Sequence, residues 1–180
     1  MKATGIVRRI DELGRVVIPK EIRRNLRFRE GDPLEIFTDK DGGVVLKKYS
    51  VFGDIEEYAK EYAESLHRSL GYTTLITDKD VVVAASGAGK KELIGKALTD
   101  DFQKKLESRR GVITSKAAKE TPIHIIEYDP NTYNSQCIVP IISNGDVFGS
   151  VVISSNDTLL SDVAYKNAET AAYFLGSQLN

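Results

Sequence analysis

A single cysteine, Cys137, in 180 residues leaves no possibility of an intrachain disulfide, which fits a reducing compartment. The only histidines are His67 and His124, and neither has the clustered partners that a metal site needs, so no metal is expected. No apolar run approaches the ~18 residues of a membrane helix, and the start MKATGIVRRIDE lacks the apolar core of a signal peptide. These absences predict a soluble, cytoplasmic protein with no membrane partner. No nucleophile–base pair and no cofactor loop is visible, so neither enzymatic activity nor a cofactor is expected. The stretch Ser86-Gly87-Ala88-Gly89-Lys90-Lys91 follows a strand and precedes a helix, as a phosphate loop does. The Walker pattern requires Gly where Ala84 stands and Ser or Thr where Lys91 stands, so a tight turn into a helix is the better reading.

The net charge of −1 conceals an asymmetry. Residues 1–50 carry twelve Lys and Arg against eight Asp and Glu, whereas the remaining 130 carry thirteen against eighteen. A basic segment joined to an acidic one points to nucleic acid or another acidic surface as partner of the first.

The first segment is strand-rich. Thr4 to Ile10 predicts a strand carrying Arg8 and Arg9, Leu13-Gly14 a turn, and Val16-Val17-Ile18 a short β-branched run. Pro19 suits a helix start, and the helix is expected over Lys20 to Asn25. Leu34 to Thr38 and Val44 to Lys48 read as a hairpin around Asp41-Gly42-Gly43. Fifty residues bury little apolar surface alone, so two interleaved copies sharing one core are expected.

Ser50 to Leu70 predicts a helix that can link the two halves. Ile55, Ala59, Tyr62, Leu66 and Leu70 form one apolar stripe, and Gly71 stands where a C-cap belongs. Beyond it the pattern is mixed. Strands are expected at Thr73–Thr77, Val81–Ala85, Pro122–Glu127, Gln136–Ser143 and Val147–Ser154, the last two flanking Asn144-Gly145. A helix broken near Asp100 is expected over Lys91–Leu106. A final helix, capped by Asn156 or Asp157, carries Leu160, Ala164, Ala168, Ala171, Leu175 and Leu179 on one face. The two long helices either pack against those of another chain or simply cover their own sheet.

The stretch from Gly5 to Arg24 places arginines on the first strand, the turn and the short helix, and within it lies the run Leu13-Gly14-Arg15-Val16-Val17-Ile18-Pro19-Lys20-Glu21-Ile22-Arg23. Guanidinium groups bond bidentately to phosphate and to guanine edges, and a solvated charged face is the alternative. This run resembles the swapped-hairpin DNA-binding domain of the AbrB family of bacterial transition-state regulators. The resemblance continues over the whole chain to a two-domain member that regulates forespore genes and whose second half is a GAF domain. It implies an α+β chain. Residues 1–50 would form a dimeric swapped-hairpin β-barrel, 51–70 a linker helix, and 71–180 a GAF-like α/β domain with an antiparallel sheet and flanking helices.

The resemblance further implies that arginines matching Arg8, Arg15, Arg23 and Arg24 contact double-stranded DNA, with Lys2 and Arg9 as supporting phosphate contacts. It implies tolerance of varied, A·T-rich targets, read partly through DNA shape. It also implies activation as well as repression of sporulation genes, a nucleoid-associated location in the forespore, and a homotetramer. That tetramer would form through barrel contacts and through the GAF domain with helices 51–70 and 157–179. Tyr128, Tyr133, Cys137 and His124 are candidates to line a pocket for an unidentified small-molecule effector. Each also has an ordinary packing or solvent-facing explanation. The other function in view is an antitoxin, since some antitoxins use the same barrel on their own promoters.

Overall fold

Two compact units make up the chain, Met1–Tyr49 and Ser50–Asn180. The computed structural model describes residues 4–49, 53, 55–129 and 133–179.

In the first unit, Pro19 stands at the N-cap of α1 (Lys20–Asn25), where its missing N–H costs no helix bond. The helix stops after six residues in a Schellman arrangement. The Phe28 N–H donates to the Arg23 carbonyl at 2.8 Å and the Arg27 N–H to that of Arg24 at 3.2 Å, with Arg27 in the left-handed region (φ 56°). Strands β1 (Leu34–Thr38) and β2 (Val44–Lys48) pair antiparallel, Leu34 opposite Lys48 and Thr38 opposite Val44. At the hairpin tip the Asp39 carboxylate accepts the N–H groups of Asp41 at 3.1 Å and Gly43 at 2.6 Å. Asp32 ties the preceding loop to β2, accepting the Arg29 N–H at 2.7 Å and pairing with the Lys48 ammonium at 2.9 Å.

The segments Thr4–Ile10 and Val16–Ile18, expected as strands, are in no strand. A strand exists only where a neighbour completes its ladder, and the single chain supplies none there. The apolar residues of this unit have no interior either: Val7 is 84% exposed, Leu13 74% and Val17 72%.

The second unit is built on a five-stranded antiparallel sheet, in the order β4 (Val82–Ser86), β3 (Thr73–Thr77), β7 (Asp146–Ser155), β6 (Ser135–Ser143), β5 (Val112–Ser115). Strands β6 and β7 are buried along nearly their whole length, because both sheet faces are covered. Their connection uses Asn144 and Gly145, both at positive φ (48° and 83°), the geometry whose twist matches that of paired strands.

Against one face lie α2 (Glu56–Leu70) and α5 (Asp162–Ser177), bringing Ala59, Ala63 and Leu66 of α2 and Ala164, Ala168 and Leu175 of α5 onto Ile76, Cys137, Val151 and Ile153. The helices touch each other through Tyr58 and Tyr62 on Phe174, with ring centroids 6.1 and 5.0 Å apart. Gly71 ends α2 in the left-handed region, as expected, and its N–H donates to the His67 carbonyl at 2.8 Å. The helix expected to link the two halves thus packs within the second unit.

The opposite face is covered by α3 (Lys90–Leu93), α4 (Asp100–Glu107) and the segment around Ile125, which gather Leu93, Phe102, Leu106 and Ile125 onto Leu75, Ile138 and Val152. The helical stretch breaks over residues 94–99, and the Thr99 hydroxyl caps α4 by accepting the Phe102 N–H at 3.2 Å.

Several elements differ from expectation, among them β5, which the sequence pattern does not announce, and β4, shifted one residue from Val81–Ala85. Pro122–Glu127 is not a strand: it contributes a lone bridge, Ile126 to Leu98, and is held instead by a side chain. The buried Gln136 amide donates to the Ile123 carbonyl and accepts its N–H, both at 3.0 Å, in place of a ladder. The last helix has Ser161 at its N-cap position, without a side-chain capping bond, and not Asn156 or Asp157. Residues 155–158 are taken up by a hydroxyl turn in which the Ser155 Oγ accepts the Thr158 N–H at 3.0 Å. Helix α2 starts at Glu56, several residues after Ser50, and residues 50–52 and 54 lie outside the described set.

Cys137 sits in the helix-covered core. Burial, with the Glu169 carboxylate adding to it, pushes its thiol up from 9.0 to about 12. A folded value above the unfolded one means that Cys137 stabilises the fold fully below pH 9.0 and loses that contribution as pH rises toward about 12. In the native protein at pH 8, a thiol reagent is therefore expected to leave Cys137 unmodified, and to label it fully once denaturant unfolds the second unit. Rapid native labelling would contradict this placement.

Candidate nucleic-acid interface

Every described arginine expected to meet DNA lies on the surface of the first unit: Arg8, Arg9, Arg15, Arg23 and Arg24 are all exposed. Lys2 falls outside the described residues. Arg8 and Arg9 lie just before the turn at residues 11–15, Arg15 closes that turn, and Arg23 and Arg24 occupy the last turn of α1. Arg23 also lines a cleft of about 300 Å³ with Val17, Ile18, Phe28, Arg29 and Leu34.

The turn is built by Asp11. Its N–H donates to the Arg15 carbonyl at 3.0 Å, and its carbonyl accepts the Gly14 N–H at 2.9 Å. Its carboxylate divides the work: Oδ1 accepts the backbone N–H groups of Leu13 at 2.9 Å and Arg15 at 2.8 Å, while Oδ2 accepts the Arg15 Nε–H at 2.8 Å. The Arg15 backbone N–H, then its guanidinium, hold the Asp11 carboxyl below the ordinary 3.8. Gly14 reverses the chain at φ +75°, a conformation that costs a side chain strain even though open space surrounds it. The residue pattern pointed to the arginines and the turn. It offered Asp11 only as an ion-pair partner on a solvated charged face, with Glu12 and Glu21, and the pair with Arg15 is present; the part Asp11 plays in shaping the turn was not read.

The pocket candidates of the second unit separate. His124 and Tyr128 are exposed and flank an open cleft of about 420 Å³ lined also by Thr99, Ile126 and Glu127. A neighbouring cleft of about 510 Å³ shares Ile126, Glu127 and Tyr128 and adds Glu92, Lys96 and Ala97. Tyr133 is buried in the core beneath that face, while Cys137 lies in the core across the sheet and cannot line either cleft. Among the described residues, no group of three or more His, Cys, Asp or Glu is placed to hold a metal ion.

The comparisons with known proteins fit both units. Residues 54–180 match the family model described as stage V sporulation protein T C-terminal, transcription factor. Along 179 residues, 99% of both chains, the sequence is 51% identical to stage V sporulation protein T of Bacillus subtilis. The chain belongs to the stage V sporulation protein T family. The first unit of this family member is also 63% identical, over 49 residues, to the transition state regulatory protein AbrB of Bacillus subtilis, covering 27% of this chain and 50% of AbrB. Residues 7–54 match the model of antidote-toxin recognition MazE, a bacterial antitoxin. The second unit has the fold of the GAF domain from an Acinetobacter phosphoenolpyruvate-protein phosphotransferase, at a TM-score of 0.59 and 14% identity, covering 74% of this chain and 84% of that one. The α+β reading, an AbrB-type first unit followed by a GAF-like second, therefore stands.

Gly14→Val is expected to cost the turn about 1–2 kcal/mol, since a branched side chain is forced into the left-handed region. The check is faster amide hydrogen exchange at Asp11 and Arg15, with the second unit unaffected.

Proposed function

We propose that this protein is a transcription regulator of sporulation genes that grips double-stranded DNA through the first units of two chains. The observation that carries the reading is the surface of that unit. Five exposed arginines are mounted on a scaffold whose aliphatic residues, Val7, Ile10, Leu13, Val17, Ile36 and Val44 among them, are exposed in the single chain. A soluble unit does not leave so much apolar surface in water without a partner. A second copy that exchanges hairpins would cover these residues and supply the ladder neighbours that Thr4–Ile10 and Val16–Ile18 lack. The arginines of both copies would then share one DNA-facing surface, with Arg8, Arg15, Arg23 and Arg24 as principal contacts and Arg9 and Lys2 supporting them. Such a regulator activates or represses according to where it sits on a promoter, and works in the forespore cytoplasm on the nucleoid.

The second unit contributes assembly. Tyr173 is 71% exposed on α5 and Tyr58 45% exposed on α2, so an aromatic face remains for the same helices of another dimer, giving a homotetramer. The clefts beside His124 and Tyr128 offer a small-molecule effector a place to act on that assembly.

If all eight principal guanidinium groups met phosphates, log K would have a slope of roughly −7 against log salt, and an Arg15 that met a base instead would leave roughly −5. Arg8→Ala, Arg23→Ala and Arg24→Ala are each expected to weaken binding and to flatten that slope by roughly 2 per dimer, with unchanged melting. Wild-type affinity in all three folded variants would remove the proposal. Light scattering is expected to give four chain masses, and Tyr58→Glu with Tyr173→Glu to reduce this to two while DNA binding persists. A wild-type chain that remains a dimer at high concentration would count against the tetramer.

The match of residues 7–54 to the MazE antitoxin model favours a second reading, in which the chain neutralises a toxin and controls its own promoter. Here a folded GAF-like unit follows the barrel segment. Co-purification of a small toxin with the expressed chain would support the antitoxin reading.

A further inference from the structure

Arg15 differs from the other arginines of the first unit in how it is held. Its Nε–H is bonded to Asp11 Oδ2, and its two Nη groups have no protein partner among the described residues. The side chain is still 71% exposed. Arg8 turns one Nη toward the carbonyl of its neighbour Val7 at 3.0 Å, and among the described residues no side-chain bond restrains Arg9, Arg23 or Arg24. Of the five arginines expected to meet DNA, Arg15 presents a guanidinium fixed at its base, with its outer edge unpaired among the described residues.

Charge and geometry pull in opposite directions at this pair. A carboxylate beside the guanidinium cancels much of the positive charge that a phosphate would feel, so the pair is a poor phosphate clamp. An arginine whose Nε is already engaged offers two parallel N–H donors end-on, the arrangement that fits the O6 and N7 acceptors of guanine in the major groove. A group held by a neighbour also discriminates more sharply, because a base lacking those acceptors cannot be met by swinging the side chain elsewhere.

We infer that Arg15 reads a guanine edge while the other arginines hold phosphates, and that Asp11 is the positioning residue that makes this readout selective. The inference rests on the DNA-binding reading above. The division of labour on the carboxylate supplies a clean variant. Asp11→Asn keeps Oδ1 for the backbone N–H groups of Leu13 and Arg15 but puts an NH₂ where Oδ2 accepted the Arg15 Nε–H.

The experiment uses the full chain and two duplexes of equal length, one selected by the wild-type protein from a random-sequence pool and one of scrambled sequence. Binding to both is measured across a salt series. In Asp11→Asn the ratio of selected to scrambled affinity is expected to fall about fivefold or more. Binding to the scrambled duplex should hold or strengthen, since a negative charge leaves the interface. Arg15→Ala is expected to lower the same ratio with little change in salt slope, unlike Arg8→Ala, Arg23→Ala and Arg24→Ala. Asp11→Asn in the Arg15→Ala background should change the ratio no further.

The inference is overturned by an unchanged ratio in Asp11→Asn, by an equal loss on both duplexes, by a slope flattened by roughly 2 in Arg15→Ala, or by a wild-type chain that binds both duplexes alike. A wild-type chain that binds neither duplex sinks the DNA-binding reading itself. Should Asp11→Asn not fold, the Arg15 Nε–H resonance of the wild-type protein decides. A distinct, protected signal near neutral pH that is lost as acid protonates Asp11 sustains the arrangement, and a signal averaged with those of the other arginines overturns it.

Discussion

The first unit has more aliphatic side chain than a fifty-residue fold can enclose, and that imbalance governs the rest of the protein. One short helix and one two-stranded hairpin leave Ile10, Val16, Ile36 and Val44 in contact with water. The same shortage leaves the stretches around Val7 and Val17 outside any strand. Pairing with a second chain resolves both, since apolar burial and backbone ladders would be completed by the same contact. DNA recognition would then draw on arginines of both chains.

The second unit solves the opposite problem. Its sheet is covered on both faces, by α2 and α5 on one and by α3, α4 and the Ile125 segment on the other. The cover on the second face is the less regular. The segment around Ile125 is held by isolated bonds, such as Thr99 Oγ1 to the His124 carbonyl at 2.6 Å and the paired Gln136 amide bonds on Ile123. Open clefts lie on this side, whereas Cys137 and the alanine-lined helix contacts lie on the other. The helix-covered core and the open clefts thus lie on opposite sides of one sheet.

The Asp11–Arg15 pair shows how little is needed to distinguish one arginine from its neighbours. One carboxylate oxygen shapes the turn and the other restrains a guanidinium, so backbone and recognition geometry share a residue. Such a pair gives up phosphate attraction in exchange for orientation, a trade that makes sense only where sequence, and not charge alone, is being read.

Features set by neighbouring residues were legible in the sequence. Asp41-Gly42-Gly43 and Asn144-Gly145 place their hairpins because Gly42, Asn144 and Gly145 readily take the positive φ found there. The 3.6-residue spacing of Ile55, Ala59 and Leu66 marks a buried helical face wherever the helix packs. The arginine-bearing run and its AbrB-type context were likewise visible. What the tertiary structure alone decided involves groups distant in sequence. Gln136 replaces a strand ladder for Ile123 thirteen residues away, and the Ser135 hydroxyl, from another strand, accepts the Leu160 N–H just ahead of the last helix. Cys137 is drawn away from the clefts by the face its register assigns it. Local propensity acts through the chain's own bonds and reads out residue by residue. Which polar group satisfies which depends on what folding brings alongside, and no spacing in the sequence records that.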